Sequence, residues 1–92
     1  IGVDSNQNML EPGHVVTSCL KNVGDAIYAV YRTIADDTYE PGVVLEYGVA
    51  EGGMGLAIDE YTRDILPARS LERLIEIQDG LAEGKITVKR YL

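Results

Sequence analysis

The feature that most constrains the fold is a single apolar stripe with the spacing of an α-helix. Its members recur at intervals of three and four residues, and they are Val16, Leu20, Val23, Ile27, Val30 and Ile34. That spacing places them on one side of a helix, with Thr17, Lys21 and Asp25 opposite. The turn residues Pro12-Gly13 precede the stripe, and the polar residues 36–38 follow it. The pattern therefore predicts a helix that begins near His14 and ends before Asp36.

Strand-like segments lie on both sides of this helix. Residues 1–4 form an apolar run that stops at the carboxylate of Asp4, and residues 43–49 are β-branched and aromatic. The order strand, helix, strand predicts an α/β fold in which these two strands pair in parallel across the helix. Two strands leave an open edge and an uncovered face, so we expect a larger sheet. The abrupt start at Ile1 likewise resembles the interior of a protein.

The second half of the chain predicts one further helix. Residues 51–56 and the following loop of residues 59–64 are expected to be irregular. Pro67 suits the first turn of a helix whose apolar face carries Leu71, Leu74, Ile75 and Leu81. Gly84 is placed to end that helix in a left-handed conformation. Residues 85–89 are expected to form either a short final strand or an extended tail.

Composition excludes several classes of function. Acidic residues outnumber basic ones by 15 to 8, which argues against binding of nucleic acid. Since there is one cysteine and one histidine, we expect no internal disulfide and no Cys/His metal site. No cofactor is expected. No apolar run approaches the roughly 20 residues that cross a bilayer, and the N-terminus has no signal-peptide pattern. A chain of 92 residues also buries only about 60–65% of its unfolded surface, so its own core is expected to be thin.

Three blocks of sequence, taken together, resemble a known family. They are IGVDSNQ at residues 1–7, PGHVVTSCLKNV at residues 12–23 and YGVAEGGMGL at residues 47–56. In this order and spacing they are similar to the C-terminal portion of the basic membrane protein family, the substrate-binding lipoproteins that include bacterial purine nucleoside receptors. With the helix that follows Pro67, the resemblance covers essentially the whole chain.

The resemblance implies a type I periplasmic-binding-protein fold, in which two α/β lobes close around a small ligand. This chain would be the C-terminal part, with parallel strands, flanking helices and a crossover between the lobes near residues 48–56. The implied function is the extracytoplasmic solute-binding component of an ABC importer, without catalysis, for a purine nucleoside or similar ligand. Its partners would be the permease and, through it, the ATPase subunits. The full-length protein would be periplasmic or held to the membrane by an N-terminal lipid anchor that lies outside this chain. A regulatory or interaction module of the same fold is the alternative.

Three residues are predicted to bind the ligand. Asp4 ends a strand, where open α/β sheets place their ligand crevice, and its carboxylate can accept hydrogen bonds from two neighbouring hydroxyls. The resemblance assigns this position to ribose binding. It also implies that Lys21, on the polar side of the predicted helix, faces the cleft, where its ammonium can donate to a sugar oxygen and compensate Asp4. Asn6 stands where the family commonly has a second aspartate, and it retains hydrogen-bonding capacity.

Two other groups of residues carry weaker functional signals. The glycines 52, 53 and 55 are compatible with a phosphate-binding loop, but no Gly-Lys-Ser/Thr ending follows, and a crossover between lobes explains them better. His14 and Cys19 lie five residues apart on the predicted helix and would point roughly 140° away from each other. They are therefore interpreted as a loop histidine and a core cysteine.

Overall fold

The architecture is α/β in a computed structural model that describes residues 1–90. One mixed sheet contains β1 (Gly2–Asp4), β2 (Ser18–Lys21) and β3 (Met54–Leu56), in that spatial order. The helices are α1 (Val23–Ala35), α2 (Glu60–Ile65) and α3 (Ala68–Ala82). No helix within residues 1–90 has both the length and the apolar character needed to cross a membrane. The predicted fold class is confirmed, whereas the sheet is parallel only between β1 and β2, since β3 runs antiparallel to β2.

The first helix starts nine residues later than the apolar spacing predicts, since it begins at Val23 and not at His14. Residues 15–19 are valine, valine, threonine, serine and cysteine, all of them weak helix formers, and the two valines and the threonine favour strands. The backbone of residues 18–20 pairs with β1, with Gly2 opposite Ser18 and Asp4 opposite Leu20. Val16 and Leu20 match the helical spacing although they lie outside the helix. A nonlocal strand pairing therefore overrides the local periodicity.

The predicted strand over residues 43–49 is also wrong. Val43, Val44 and Leu45 are exposed and belong to the long connection between α1 and β3. A strand exists only beside a hydrogen-bonded neighbour, and no described residue pairs with this segment. The parallel pair is instead β1 and β2, joined by the loop of residues 5–17. Residues 54–56, expected to be irregular, form β3.

The C-terminal half agrees better with its sequence pattern. Helix α3 follows Pro67 directly, as predicted, and Gly84 ends it with a φ of +78°. The amide N–H groups of Gly84 and Lys85 donate to the carbonyls of Leu81 and Gly80, which closes the last turn. Residues 85–89 form no strand, so of the two alternatives it is the tail that the structure shows. The short helix α2 occupies residues 60–65, where a loop over residues 59–64 was expected.

The interior of the described residues is mostly polar. Within residues 1–90 the one buried apolar side chain is Ala57, whereas the buried polar residues are Asn8, Thr17, Ser18 and Thr62. Helix α1 buries none of its residues, and its stripe remains exposed, with Ile27 at 65% and Tyr31 at 64% of their full accessibility. Helix α1 thus presents an apolar stripe that nothing in residues 1–90 covers.

Candidate ligand-binding edge

Asp4 and Lys21 lie at the same end of the sheet, where the parallel strands β1 and β2 have their carboxyl ends. We call this end the ligand-binding edge. Asp4 ends β1, as predicted, and is opposite Leu20, the residue before Lys21 at the end of β2. Lys21 is therefore on a strand and not on the polar side of a helix, which corrects its predicted element. Parallel neighbours are about 4.8 Å apart and rise about 3.3 Å per residue, so the two Cα atoms lie about 6 Å from each other. The carboxyl ends of these strands bring together the two charged residues that the sequence singled out.

The side chains of Asp4 and Lys21 are both exposed. No ion pair joins Asp4 to Lys21 within residues 1–90. Asp4 has a φ of +73°, in the left-handed region that non-glycine residues seldom adopt. Such a conformation costs about 1–3 kcal/mol and persists only where surrounding contacts hold the backbone. The turn after β1 therefore needs support from elsewhere in the chain.

Lys21 borders an open groove of about 620 Å³ beside the sheet edge. One wall is the apolar stripe of α1, and the other contains Tyr47, Gly53 and Met54. A Cβ atom at Gly53 would come within 2.6 Å of Tyr47, so this position requires glycine. The Asn22 side chain donates to the Gly52 carbonyl oxygen at 2.8 Å, which fixes the turn into β3. The glycines thus serve close packing and the turn before β3.

Asn6 uses part of its side chain within the chain. Its Nδ2 donates to Oδ2 of Asp59 at 3.0 Å, and its Oδ1 accepts from the backbone N–H of Asn8 at 3.0 Å. One amide hydrogen and one lone pair remain, which leaves Asn6 able to contact a ligand as predicted. A ligand role for Asn6 stays a prediction.

A buried hydrogen-bond network around the Ala57 carbonyl group was not predicted from the sequence. The Ala57 carbonyl oxygen accepts from Asn8 Nδ2 at 3.1 Å, from Thr17 Oγ1 at 2.9 Å and from Thr62 Oγ1 at 3.0 Å. Ser18 Oγ donates to Asn8 Oδ1 at 2.7 Å. No buried side-chain polar atom in residues 1–90 lacks a partner, so the network is fully satisfied.

Asp59 connects this network to α2. Its Oδ1 accepts from Asn8 Nδ2 at 3.0 Å and from the backbone N–H groups of Tyr61 and Thr62 at 3.1 and 3.3 Å, which caps the helix. Hydrogen bonds from Asn6 and then from Asn8 hold the pKa of the Asp59 carboxyl below its ordinary value, against partial burial, which raises it. The sequence signal for this helix start is Asp59 as N-cap followed by the acidic Glu60 in the first turn.

The remaining candidates do not form a reactive centre. His14 is exposed in a loop, where its Nδ1 lies 3.4 Å from the Pro12 carbonyl oxygen. Cys19 lies on β2 and is a half-buried free thiol, so the helix that was expected to hold both residues does not exist. No group of three or more His, Cys, Asp or Glu side chains in residues 1–90 is placed to hold a metal ion.

Comparison with known proteins identifies the family. A sequence model described as ABC transporter substrate-binding protein PnrA-like matches residues 1–89. The chain therefore belongs to the Bmp family of PnrA-like ABC transporter substrate-binding proteins. That family has a periplasmic-binding-protein fold, with which the observed α/β architecture agrees.

Individual relatives support the same assignment. Basic membrane protein B of Borreliella burgdorferi is 36% identical over 97 residues, an alignment that includes 100% of this chain and 28% of the relative. Basic membrane protein C of the same species is 27% identical over 89 residues, or 96% of this chain and 24% of the relative. Basic membrane protein B of Borrelia garinii subsp. bavariensis is 39% identical over 59 residues, covering 62% of this chain and 17% of its own length. The chain thus spans about a quarter of the length of the curated relatives it matches.

Proposed function

We propose that this chain is the C-terminal part of an extracytoplasmic solute-binding protein that delivers a purine nucleoside to an ABC importer. The observation that carries the proposal is the meeting of Asp4 and Lys21 at one sheet edge, in a chain that belongs to a substrate-binding family. The permease would receive the loaded protein, and the ATPase subunits would act through the permease. A lipid anchor would hold the protein at the outer face of the membrane.

The edge carries chemistry suited to the sugar of a nucleoside. A ribose presents two adjacent hydroxyl groups, and the exposed carboxylate of Asp4 has acceptor sites for both. The ammonium of Lys21 donates hydrogen bonds only, which suits a ring or hydroxyl oxygen on the other side of the sugar. A neutral nucleoside is also compatible with the net charge of −7, which disfavours polyanions.

Binding requires a second wall that residues 1–90 do not supply. Ligand sites bury most of the surface of their ligand, whereas both candidate residues are exposed here. The second lobe would close over the ribose and the base, and the ligand would favour the closed form because it contacts both lobes there. The 92 residues alone are therefore expected to bind nucleosides weakly or not at all, and nanomolar binding by them would overturn this part of the proposal.

The test is a calorimetric titration of the intact two-lobed protein with adenosine and with guanosine. Asp4→Ala removes a charged acceptor and is expected to weaken binding at least tenfold, while Lys21→Met has a smaller effect in the same direction. Asp64→Ala is the matched control, because Asp64 is an exposed aspartate on α2 and is not one of the predicted ligand-binding residues. Equal affinity of the wild type and Asp4→Ala would refute the proposed role of the edge.

A further inference from the structure

The turn that carries Asp4 has only short-range hydrogen bonds of its own, among them Val3 N–H to Gln7 Oε1 at 3.3 Å and Asn8 N–H to Asn6 Oδ1 at 3.0 Å. Residue 4 is in the left-handed conformation, and the N–H of Ser5 turns back to the Val3 carbonyl at 3.0 Å. Gln7 and Asn8 are anchored to β2 through Ser18, whose Oγ accepts from the Gln7 N–H at 3.0 Å. Outside the β1–β2 pairing, one hydrogen bond within residues 1–90 connects residues 4–6 to a distant segment. It runs from Asn6 to Asp59.

The two oxygens of Asp59 have separate tasks. Oδ1 accepts every hydrogen bond that caps α2 and also the bond from Asn8. Oδ2 accepts from Asn6 alone. A helix cap needs one side-chain oxygen, which asparagine or serine also supplies. The second oxygen is therefore superfluous for α2, and its partner lies two residues from Asp4.

We infer that Asp59 is a positioning residue of the ligand-binding edge, which acts through Asn6 to hold the backbone that carries Asp4. It contacts no ligand itself. Its effect on affinity rests on the proposed function, whereas its effect on the turn of residues 4–8 does not. The carboxylate is suited to this task because it serves the cap and Asn6 at once, and a charged acceptor forms the stronger hydrogen bond with an amide.

The structure specifies a swap that isolates this contact. In Asp59→Asn the side-chain oxygen keeps the cap and the bond from Asn8, but an NH₂ group then faces the NH₂ of Asn6. In Asn6→Asp two carboxylates face each other. The double variant Asn6→Asp, Asp59→Asn restores one donor and one acceptor with reversed polarity and has the wild-type net charge. Asp64→Asn on α2 is the control for loss of one negative charge.

The experiment measures, in the intact protein, hydrogen exchange of the backbone amides of residues 5–8 and the affinity for adenosine and guanosine. Asp59→Asn is expected to speed exchange in this segment and to weaken binding about tenfold, and the double variant is expected to restore slow exchange. The double variant is scored by exchange alone, since Asn6 is itself a candidate ligand contact. Asp64→Asn leaves both readouts unchanged. A residue that only caps α2 would show neither the loss nor the recovery.

The outcomes separate this inference from the proposed function. If the wild type binds neither nucleoside, the proposed function fails, and exchange at residues 5–8 alone decides whether Asp59 positions the turn. Unchanged exchange in Asp59→Asn overturns the inference, as does a double variant in which slow exchange fails to return. Altered exchange with unaltered affinity, in a wild type that binds, overturns the role in ligand binding.

Discussion

At the scale of single residues, most of the side chains that are buried within residues 1–90 are polar. Asn8, Ser18 and Thr62 are fully buried, and the hydrogen bonds of Asn8 with Ser18 and Thr62 join residues 10 and 54 positions apart. A buried polar atom that loses its partner retains the full cost of desolvation. Substitutions that remove one hydroxyl group should therefore be felt more strongly than their small change in volume suggests.

Thr62 gives the cleanest test of this network. Thr62→Val keeps the shape but removes the hydroxyl that lies 3.0 Å from the Ala57 carbonyl and 3.2 Å from Asn8 Nδ2. We expect it to lower the free energy of unfolding of the intact protein by about 1–3 kcal/mol, measured by urea denaturation. Thr62→Ser keeps the hydroxyl and should cost less. If Thr62→Val is as stable as the wild type, the hydroxyl contributes nothing to stability.

Asp59 should also make stability depend on pH. Because its pKa is lowered in the folded state, its contribution is complete above its ordinary value near 3.8 and is lost as the pH falls through the lower folded value. Melting temperatures of the wild type and Asp59→Asn should therefore differ by a constant amount at pH values well above 3.8 and converge as the pH falls below that value. A difference between them that stays constant below that value as well would contradict the assigned cause of the pKa shift.

At the scale of elements, local signals and nonlocal pairing had different predictive value. Helix α3 was predictable because Pro67, its apolar face and Gly84 all lie within the segment. The start of α1 was not, because a strand pairing with β1 decides the conformation of residues 18–21. The strand end at Asp4 was predicted correctly because the apolar run before it is a local signal. Lys21 was assigned to a helix because its strand depends on the pairing with β1. Contacts of Asp59 with Asn6, 53 positions away, leave no periodic signal at all.

The pairing of β1 and β2 depends on a glycine at residue 2. A Cβ atom there would collide with Ser18 Oγ and lie 2.9 Å from Gln7 Oε1. Gly2→Ala is expected to destabilise the intact protein by about 1–3 kcal/mol in thermal or urea unfolding. The β1–β2 packing described here would be wrong if Gly2→Ala were neutral.

Gly24 is the natural comparison, since a Cβ atom there meets nothing within 4 Å in residues 1–90. In a helix with open space, Gly→Ala stabilises by roughly 0.5–1 kcal/mol. In the intact protein, Gly24→Ala should therefore be stabilising unless another element packs closely against α1. A loss of stability would show such close packing and locate it at the first turn of the helix.

At the scale of the whole molecule, the unpaired apolar faces are the main finding. The apolar stripe of α1 borders an open groove of about 620 Å³. A second groove, of about 330 Å³, lies between the sheet and α3. Relatives are about four times as long as this chain, and we propose that the remainder of a two-lobed protein covers these faces. The thin core then reflects an incomplete sheet and not an unusual fold.

A substitution at Ile27 tests whether the apolar stripe of α1 is covered in the intact protein. It is 65% exposed within residues 1–90, where Ile27→Ser would remove little buried surface. If the rest of the protein covers α1, the same substitution should lower the stability of the intact protein by about 2–4 kcal/mol, as for buried aliphatic residues. Asp25→Ser, on the polar side of α1, is the control. Equal stability of the two variants would leave the stripe exposed and refute the proposed coverage.

The most direct test of the central claim asks whether Asp4 recognises the ribose hydroxyls. The intact protein and its Asp4→Ala variant are titrated with adenosine and with 2′,3′-dideoxyadenosine in a calorimeter. We predict that the wild type prefers adenosine by at least tenfold and that Asp4→Ala binds both nucleosides with similar, weak affinity. A preference for adenosine that survives intact in Asp4→Ala would show that another residue reads the sugar, and it would contradict the account of this edge.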